Sequence, residues 1–371
     1  MKRHFDVAIV GGGIIGSSIA YYLAKEGISV LMLERDKVAS GATSAAAGML
    51  GAQAELEEND AFFRFAKESQ TQYVSLNEEL RKHSGVDIQL VNNGMYKVAL
   101  TDNEAVSLKQ MAAASIEMDW HSRDEVNFLE PHIANNIKGG LHIPSDGHVS
   151  PIHLCTAFSK SASLLGASLL EHTSVHAVER NSPSDYTVKT SAGDFHCQSV
   201  VITNGTWSGY FLNQLGLDND IVPVKGECLS VTSREVYLSS TIFHNHCYVV
   251  PKGDGRFVVG ATMVPDDWSM QPTVGGIHSL IEKIRPVFPK IDSCNFQESW
   301  AGLRPQTRDG RPYIGRHPSD ENLYFATGHY RNGILLAPQT GILIRDLIMK
   351  KRIKSEYIEA FRVDRLLEVK A

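Results

Sequence analysis

Long apolar runs, paired cysteines and an excess of positive charge are all missing from this chain. Its 371 residues contain no stretch of about 20 uninterrupted apolar residues, so no membrane span is expected. Five cysteines stand far apart, at 155, 197, 228, 247 and 294, without a Cys-x-x-Cys pair. That odd, scattered set reads as reduced thiols of a cytoplasmic protein and excludes a disulfide framework or a zinc site. A formal net charge of −6 argues against a nucleic-acid binder, which needs a basic face to neutralise phosphates. No low-complexity tract or internal repeat interrupts an ordinary globular composition, and the length suffices for two domains or one domain with a large insertion.

The first residues, "MKRHFDVAIVGGGIIGSSIAYYLA", imitate a secretory leader. Asp6 breaks the apolar run at its start, and glycines follow where a leader needs plain Leu, Val or Ala. The same letters read better as a strand, a turn and a helix. Phe5 to Val10 is a strand-type run, and Gly11, Gly13 and Gly16 fit G-x-G-x-x-G. Ile14, Ile15, Ile19 and Leu23 then carry a helix to about Lys25, closed by Gly27. A second strand, "ISVLMLE", ends on Glu34. The first glycine of such a fingerprint makes the tight turn, the second lets the backbone approach a pyrophosphate, and the third lets helix and strand pack closely. The helix start offers N–H groups and partial positive charge to phosphates. Glu34 is placed to accept hydrogen bonds from an adenosine ribose. This context predicts a dinucleotide site.

Two features favour FAD over NAD. "SGATSAAAGML" (40–50) is an unusual run of tiny residues that lets backbone come close to something flat, tight helix packing being the alternative. Near the other end, "NLYFATGHYRNGILLAPQTGILIRDLIM" reads as a strand, a turn and a helix from about Gly333, a second anion-friendly helix start suited to the pyrimidine edge of a flavin. Between these, residues 60–82, 103–115, 122–130 and 153–167 read as helical. Hairpins are expected around Ser191–Asp194 and on Gly253-Asp254-Gly255.

The segments "IVGGGIIGSSIAYYLA" (9–24), "AAAGML" (45–50), "PVKGECLSV" (223–231), "WAGLRPQTRDGRPYIG" (300–315) and "GHYRNGILLAP" (328–338) together resemble the D-amino-acid oxidase and sarcosine oxidase group, including its bacterial glycine-oxidising members. The likeness runs along essentially the whole chain. It implies an α/β (α+β overall) protein with a Rossmann-type FAD-binding domain on a parallel sheet, interrupted by a substrate domain built on an antiparallel sheet. The expected division assigns 1–84, 146–221 and 300–371 to FAD and 85–145 and 222–299 to substrate.

The implied activity is oxidation of glycine, sarcosine or small D-amino acids to the imine, with dioxygen reduced to hydrogen peroxide and the glycine imine available to thiamine biosynthesis. In the resemblance the substrate carboxylate meets Arg304, assisted by Tyr248, with Arg331, Met263 and His246 around it; a guanidinium suits a carboxylate because two parallel charge-assisted bonds can form. The implied cofactor contacts are Gly11, Gly13, Ile14, Ile15, Gly16, Glu34, Arg35, Ala42, Thr43, Ala47, Gly48, Met49 and Val175. At the second turn they are His329, Tyr330, Arg331, Asn332, Gly333, Ile334 and Leu335. No metal and no obligatory acid or base is expected, because the flavin carries the difficult chemistry.

Sarcosine oxidases attach their flavin through a cysteine in the segment corresponding to 300–316. This chain has none there, so the FAD is expected to be non-covalent. A homotetramer without membrane or nucleic-acid partners is also expected. Arg304 as a structural ion-pair residue, Tyr248 as a packing tyrosine and Met263 as core filling are the competing readings. Arg308 and Arg311 flank a turn and are expected to be exposed or locally paired, and Trp207, Trp268 and Trp300 to be packing anchors. Residues 50–60 and the hairpin 246–263 are expected to set pocket volume. A flavin dehydrogenase with another electron acceptor and a non-catalytic flavin sensor are the alternative functions.

Overall fold

A computed structural model describes residues 3–56, 59–218 and 220–366. The strand His4–Val10 is apolar on both faces, and Val7 to Val10 are buried. A strand of that kind belongs in the middle of a parallel sheet covered by helices. It pairs in parallel with Val30–Leu33 on one side and Phe195–Ile202 on the other. Ser168–Leu170 and Asp320–Thr327 extend the parallel set outward. Antiparallel additions, Tyr313–His317 on one edge and the pair Val175–Ser182 and Asp185–Thr190, complete an eight-stranded sheet.

Helices Ile14–Lys25, Pro151–Leu164 and Gly333–Ile348 pack together over this sheet. Their apolar residues share one core with Phe65, Tyr73 and Leu80. Gly341 allows two of these helices to cross closely, since a Cβ there would lie 2.5 Å from Ser18 Oγ. The helical stretch expected over 60–82 is two consecutive helices, Ala61–Thr71 and Tyr73–Ser84. Gln72 between them keeps helical angles, and its side-chain amide donates to the Glu68 carbonyl.

The second sheet has nine strands, with Val222–Thr232 and Asn295–Gln306 paired along their whole length. Its hairpin Cys247–Pro251/Arg256–Gly260 turns over the expected Gly-Asp-Gly. Every pairing in it is antiparallel except Thr241–His244 with Met95–Ala99, so the expectation of an antiparallel sheet needs this one correction. Helix Val274–Ile284 covers one face around Leu229, Val249, Val259 and Phe288. The boundary drawn at 300 falls inside the strand Asn295–Gln306, because this strand finds its partner in 222–232. Among the described residues no helix is long and apolar enough to cross a membrane.

Candidate active site

A cavity of ≈ 650 Å³ runs from the glycine turn of the first sheet to the strands of the second. That volume is in the range of cofactor pockets, and glycines shape its first end. Gly11 has φ +112°, which only glycine adopts easily, and a Cβ on it would sit 2.9 Å from the Thr203 carbonyl oxygen. A Cβ on Gly16 would lie 2.0 Å from the Gly11 carbonyl oxygen, so this glycine serves packing within the turn. Gly13 meets nothing closer than Thr43 Oγ1 at 3.4 Å and faces the cavity.

Glu34 accepts the Gly12 N–H at 2.6 Å and the Asp36 N–H at 2.8 Å, which fixes its carboxylate at the end of the strand. Thr43 Oγ1 accepts the Ile14 N–H at 3.0 Å at the helix start. The tiny residues of 42–48 serve two purposes at once. Ala42, Thr43, Ala45, Ala46, Ala47 and Gly48 line the cavity. A Cβ on Gly302 would come within 2.4 Å of Ala45 Cβ, so the short helix Ala42–Ala45 also lies hard against the strand Asn295–Gln306.

This cradle fits a dinucleotide such as FAD: bare backbone at the turn, an anchored carboxylate beside it, and a second turn at 328–333 facing the cavity. Lys252 reinforces it from the second sheet, donating to the Ala47 carbonyl at 2.8 Å and the Val149 carbonyl at 3.1 Å. Burial brings this amine down to about 7. His329, in the second turn, is lowered to about 3 by burial, and its Nε2 lies 3.1 Å from Thr340 Oγ1, so the ring is neutral.

Arg304, Tyr248, Arg331, Met263 and His246 all line the same cavity. Arg304 Nη1 donates to the Thr262 carbonyl at 3.0 Å, and among the described residues no carboxylate lies within ion-pair distance of it. Room for its guanidinium comes from Gly226, where a Cβ would be 2.2 Å from Nη1 and Nη2. Tyr248 is buried, its hydroxyl lies 3.8 Å from Cys228 Sγ, and burial pushes its ionisation well above the ordinary range. It is therefore a neutral phenol at the cavity wall. Gly260 leaves space for that hydroxyl, since a Cβ there would meet it at 2.6 Å.

Arg331 has a partner, Glu55, at 2.8 Å, and Glu55 is itself a cavity residue. Met263 is 44% exposed, with its Sδ 3.6 Å from the Tyr330 hydroxyl, so it is wall and not core filling. His246 stands exposed at the turn with φ +61°, and among the described residues no hydrogen bond joins it to Tyr248. Arg308 is exposed, while Arg311 pairs with Asp60 at 2.6 Å outside the cavity.

Of the expected cofactor contacts, Gly16 and Leu335 are absent from the cavity wall; Gly16 lies beneath the turn and Leu335 is 1% exposed in the core. Trp207 lines the cavity with Arg35 stacked 4.6 Å over its ring, and Trp268 is 54% exposed, so neither is the packing anchor expected. Trp300 does pack, against the Tyr248 cluster. Gly51 and Glu55 of the 50–60 segment face the cavity, while its residues 57 and 58 lie outside the described residues. Glu55 has no signal of its own in "ELEEND", where three glutamates stand almost together.

The family model for FAD dependent oxidoreductases, DAO, matches residues 6–347. The chain is 50% identical to glycine oxidase of Bacillus subtilis over 365 residues, 98% of each chain. It is 33% identical to the bifunctional protein ThiO/ThiG of Synechocystis, covering 99% of this chain and 55% of that one. The crystal structure of glycine oxidase from Geobacillus kaustophilus superposes with a TM-score of 0.94 at 38% identity, covering 98% of this chain and 99% of that one.

Proposed function

The chain belongs to the DAO family of FAD dependent oxidoreductases, and we propose that within it the protein oxidises glycine and similarly small amines with dioxygen. FAD is its cofactor. The observation that carries the substrate reading is Arg304: a guanidinium in the cavity wall, bonded to a backbone carbonyl and free of any described carboxylate. Leaving a cation so placed is costly unless an anion comes to it, and an amino acid brings one. The 50% identity to a glycine oxidase supports glycine as that amino acid.

When bound, FAD supplies the acceptor for the two electrons of the substrate Cα–H bond and hands them to dioxygen, giving hydrogen peroxide. The chain's own part is orientation. Arg304 binds the substrate carboxylate, and the neutral Tyr248 hydroxyl donates beside it. Arg331, balanced by Glu55, closes the far side without leaving a bare charge, while Met263 and His246 bound the volume left for a side chain. With the amine bound neutral and its α-hydrogen leaving as hydride, the chain needs to supply neither a nucleophile nor an obligatory general base. The imine product hydrolyses to glyoxylate and ammonia, or passes to a thiazole-forming step.

The same reading takes the protein to be a cytoplasmic homotetramer with non-covalent FAD, in which 1–84, 146–221 and 300–371 serve mainly the cofactor and 85–145 and 222–299 the substrate. The deciding experiment mixes holoprotein with glycine without air and follows the flavin absorbance, then repeats the mixing in air with a peroxide assay. Bleaching and peroxide are expected together. Bleaching without peroxide would make the protein a dehydrogenase, and no bleaching with any small amine would refute the assignment.

A further inference from the structure

On the strand Val222–Thr232, Lys225 and Glu227 are each 2% exposed at the side chain and form an ion pair at 3.3 Å. They alternate with Gly226, whose open face holds the Arg304 guanidinium, so the pair lies on the opposite face of the sheet. A buried ion pair is seldom the most stabilising choice, because well-packed apolar residues of similar volume often do as well or better. Its bonding pattern suggests another role.

Glu227 holds both ends of the segment 262–273. Its Oε2 accepts the Thr262 hydroxyl at 3.1 Å, and its Oε1 accepts the Thr273 N–H at 2.8 Å, where the helix Val274–Ile284 begins. The helix abuts the carboxylate closely: a Cβ on Gly276 would fall 1.5 Å from Oε2. Lys225 holds the middle, donating to Asp267 at 3.1 Å and to Ser269 Oγ at 2.9 Å. Met263 and Met270 reach from this segment into the cavity.

Thr262 is the joint. Its N–H donates to the Glu227 carbonyl at 3.2 Å, its Oγ1 accepts the Glu227 N–H at 2.9 Å, and its carbonyl accepts Arg304 Nη1 at 3.0 Å.

We propose that the Lys225–Glu227 pair positions the substrate clamp, fixing Arg304 through Thr262 and fixing the 262–273 wall that sets how large a substrate fits. This rests on reading Arg304 as the carboxylate clamp. Both groups keep their charge while buried. Burial raises the Glu227 carboxyl, but the bonds from Thr273, Lys225 and Thr262 bring it below its usual range; burial lowers the Lys225 amine, but Asp267 and Glu227 bring it above.

The test uses flavin-loaded Glu227→Gln, Lys225→Met and Thr262→Val proteins, with Thr262→Ser as the conservative control. Steady-state kinetics with glycine and with a bulkier N-alkyl glycine are compared. The glycine KM is expected to rise roughly tenfold in the first three, a loosening of the Thr262–Arg304 contact equivalent to about one hydrogen bond to a charged group. Their kcat and bound flavin should stay close to wild type, preference should drift toward the bulkier substrate, and Thr262→Ser should restore the wild-type KM. Variants that hold flavin and keep the wild-type KM would overturn the inference, as would kcat and flavin content falling together. Should Lys225→Met not fold, Thr262→Val decides, because it leaves both charges in place. A wild-type protein whose flavin glycine never reduces would instead refute the assignment of function, and this inference with it.

Discussion

At the scale of single residues, Arg304 and His148 make opposite demands. Arg304 lines the cavity and donates to the Thr262 carbonyl, with no carboxylate within ion-pair distance among the described residues, and on the proposed function its charge meets the substrate. Arg304→Met should raise the glycine KM by about 100-fold or more, two charge-assisted bonds being lost, and leave flavin binding nearly intact. Kinetics on the reconstituted variant check this; normal glycine affinity with lost flavin would reverse the roles. His148 is buried with neither ring nitrogen hydrogen-bonded among the described residues. Burial, with Lys252 nearby, lowers it to about 3 from an ordinary 6.5. Between those values the unfolded chain binds the proton and the folded one does not, so folding stability is lost as pH falls from about 6.5 toward 3. His148→Leu should therefore raise the melting temperature, and by more at pH 5 than at pH 8. A larger gain at pH 8 would show that the ring is charged in the native state. The place of Arg304 in the cavity wall was legible because it stands in a distinctive motif. Glu55 was not, because its importance comes from Arg331, 276 positions away.

At the scale of elements, the glycine fingerprint separates into two jobs that can be tested apart, packing at Gly16 and an open cavity face at Gly13. Gly16→Ala places a carbon against backbone that cannot yield, so the variant should melt several degrees lower or fail to fold. Gly13 has φ −73°, which alanine adopts readily, and it faces the cavity. Gly13→Ala should then keep its melting temperature as apoprotein and bind FAD about tenfold more weakly or worse, since the added methyl displaces the ligand. Thermal unfolding paired with flavin titration distinguishes the two; equal loss of stability in both variants would contradict this division. Helices and hairpins were readable here because their signals are local: the periodic Ile14–Leu23, the Gly-Asp-Gly turn, the tiny run at 40–50. The course of Asn295–Gln306 was not, because nothing within "NFQESWAGLRPQ" announces that its partner is 222–232.

At the scale of the whole molecule, the two sheets meet over one cavity, and no cysteine stands in 300–316. Denaturing the holoprotein in acid should release all its flavin into the supernatant; yellow colour retained by the washed precipitate would show a covalent link. Light scattering of the native protein should give four times the mass of the 40.9 kDa chain. The overall architecture was legible because the fingerprint and the tiny run, far apart from the arginine motif in sequence, point to a flavin while that motif points to a substrate carboxylate, and the two ligands must meet. How the halves abut was not, since that depends on contacts such as Gly302 against Ala45. One strand carries that contact and, two residues on, Arg304. The spacing between the tiny-residue cradle and the Arg304 guanidinium is thus built into the repeat of a β-strand, while Met263 and Met270 reach the cavity from a separate segment. On the proposed roles, a change in that segment alters which side chain fits without moving the carboxylate site relative to the cofactor.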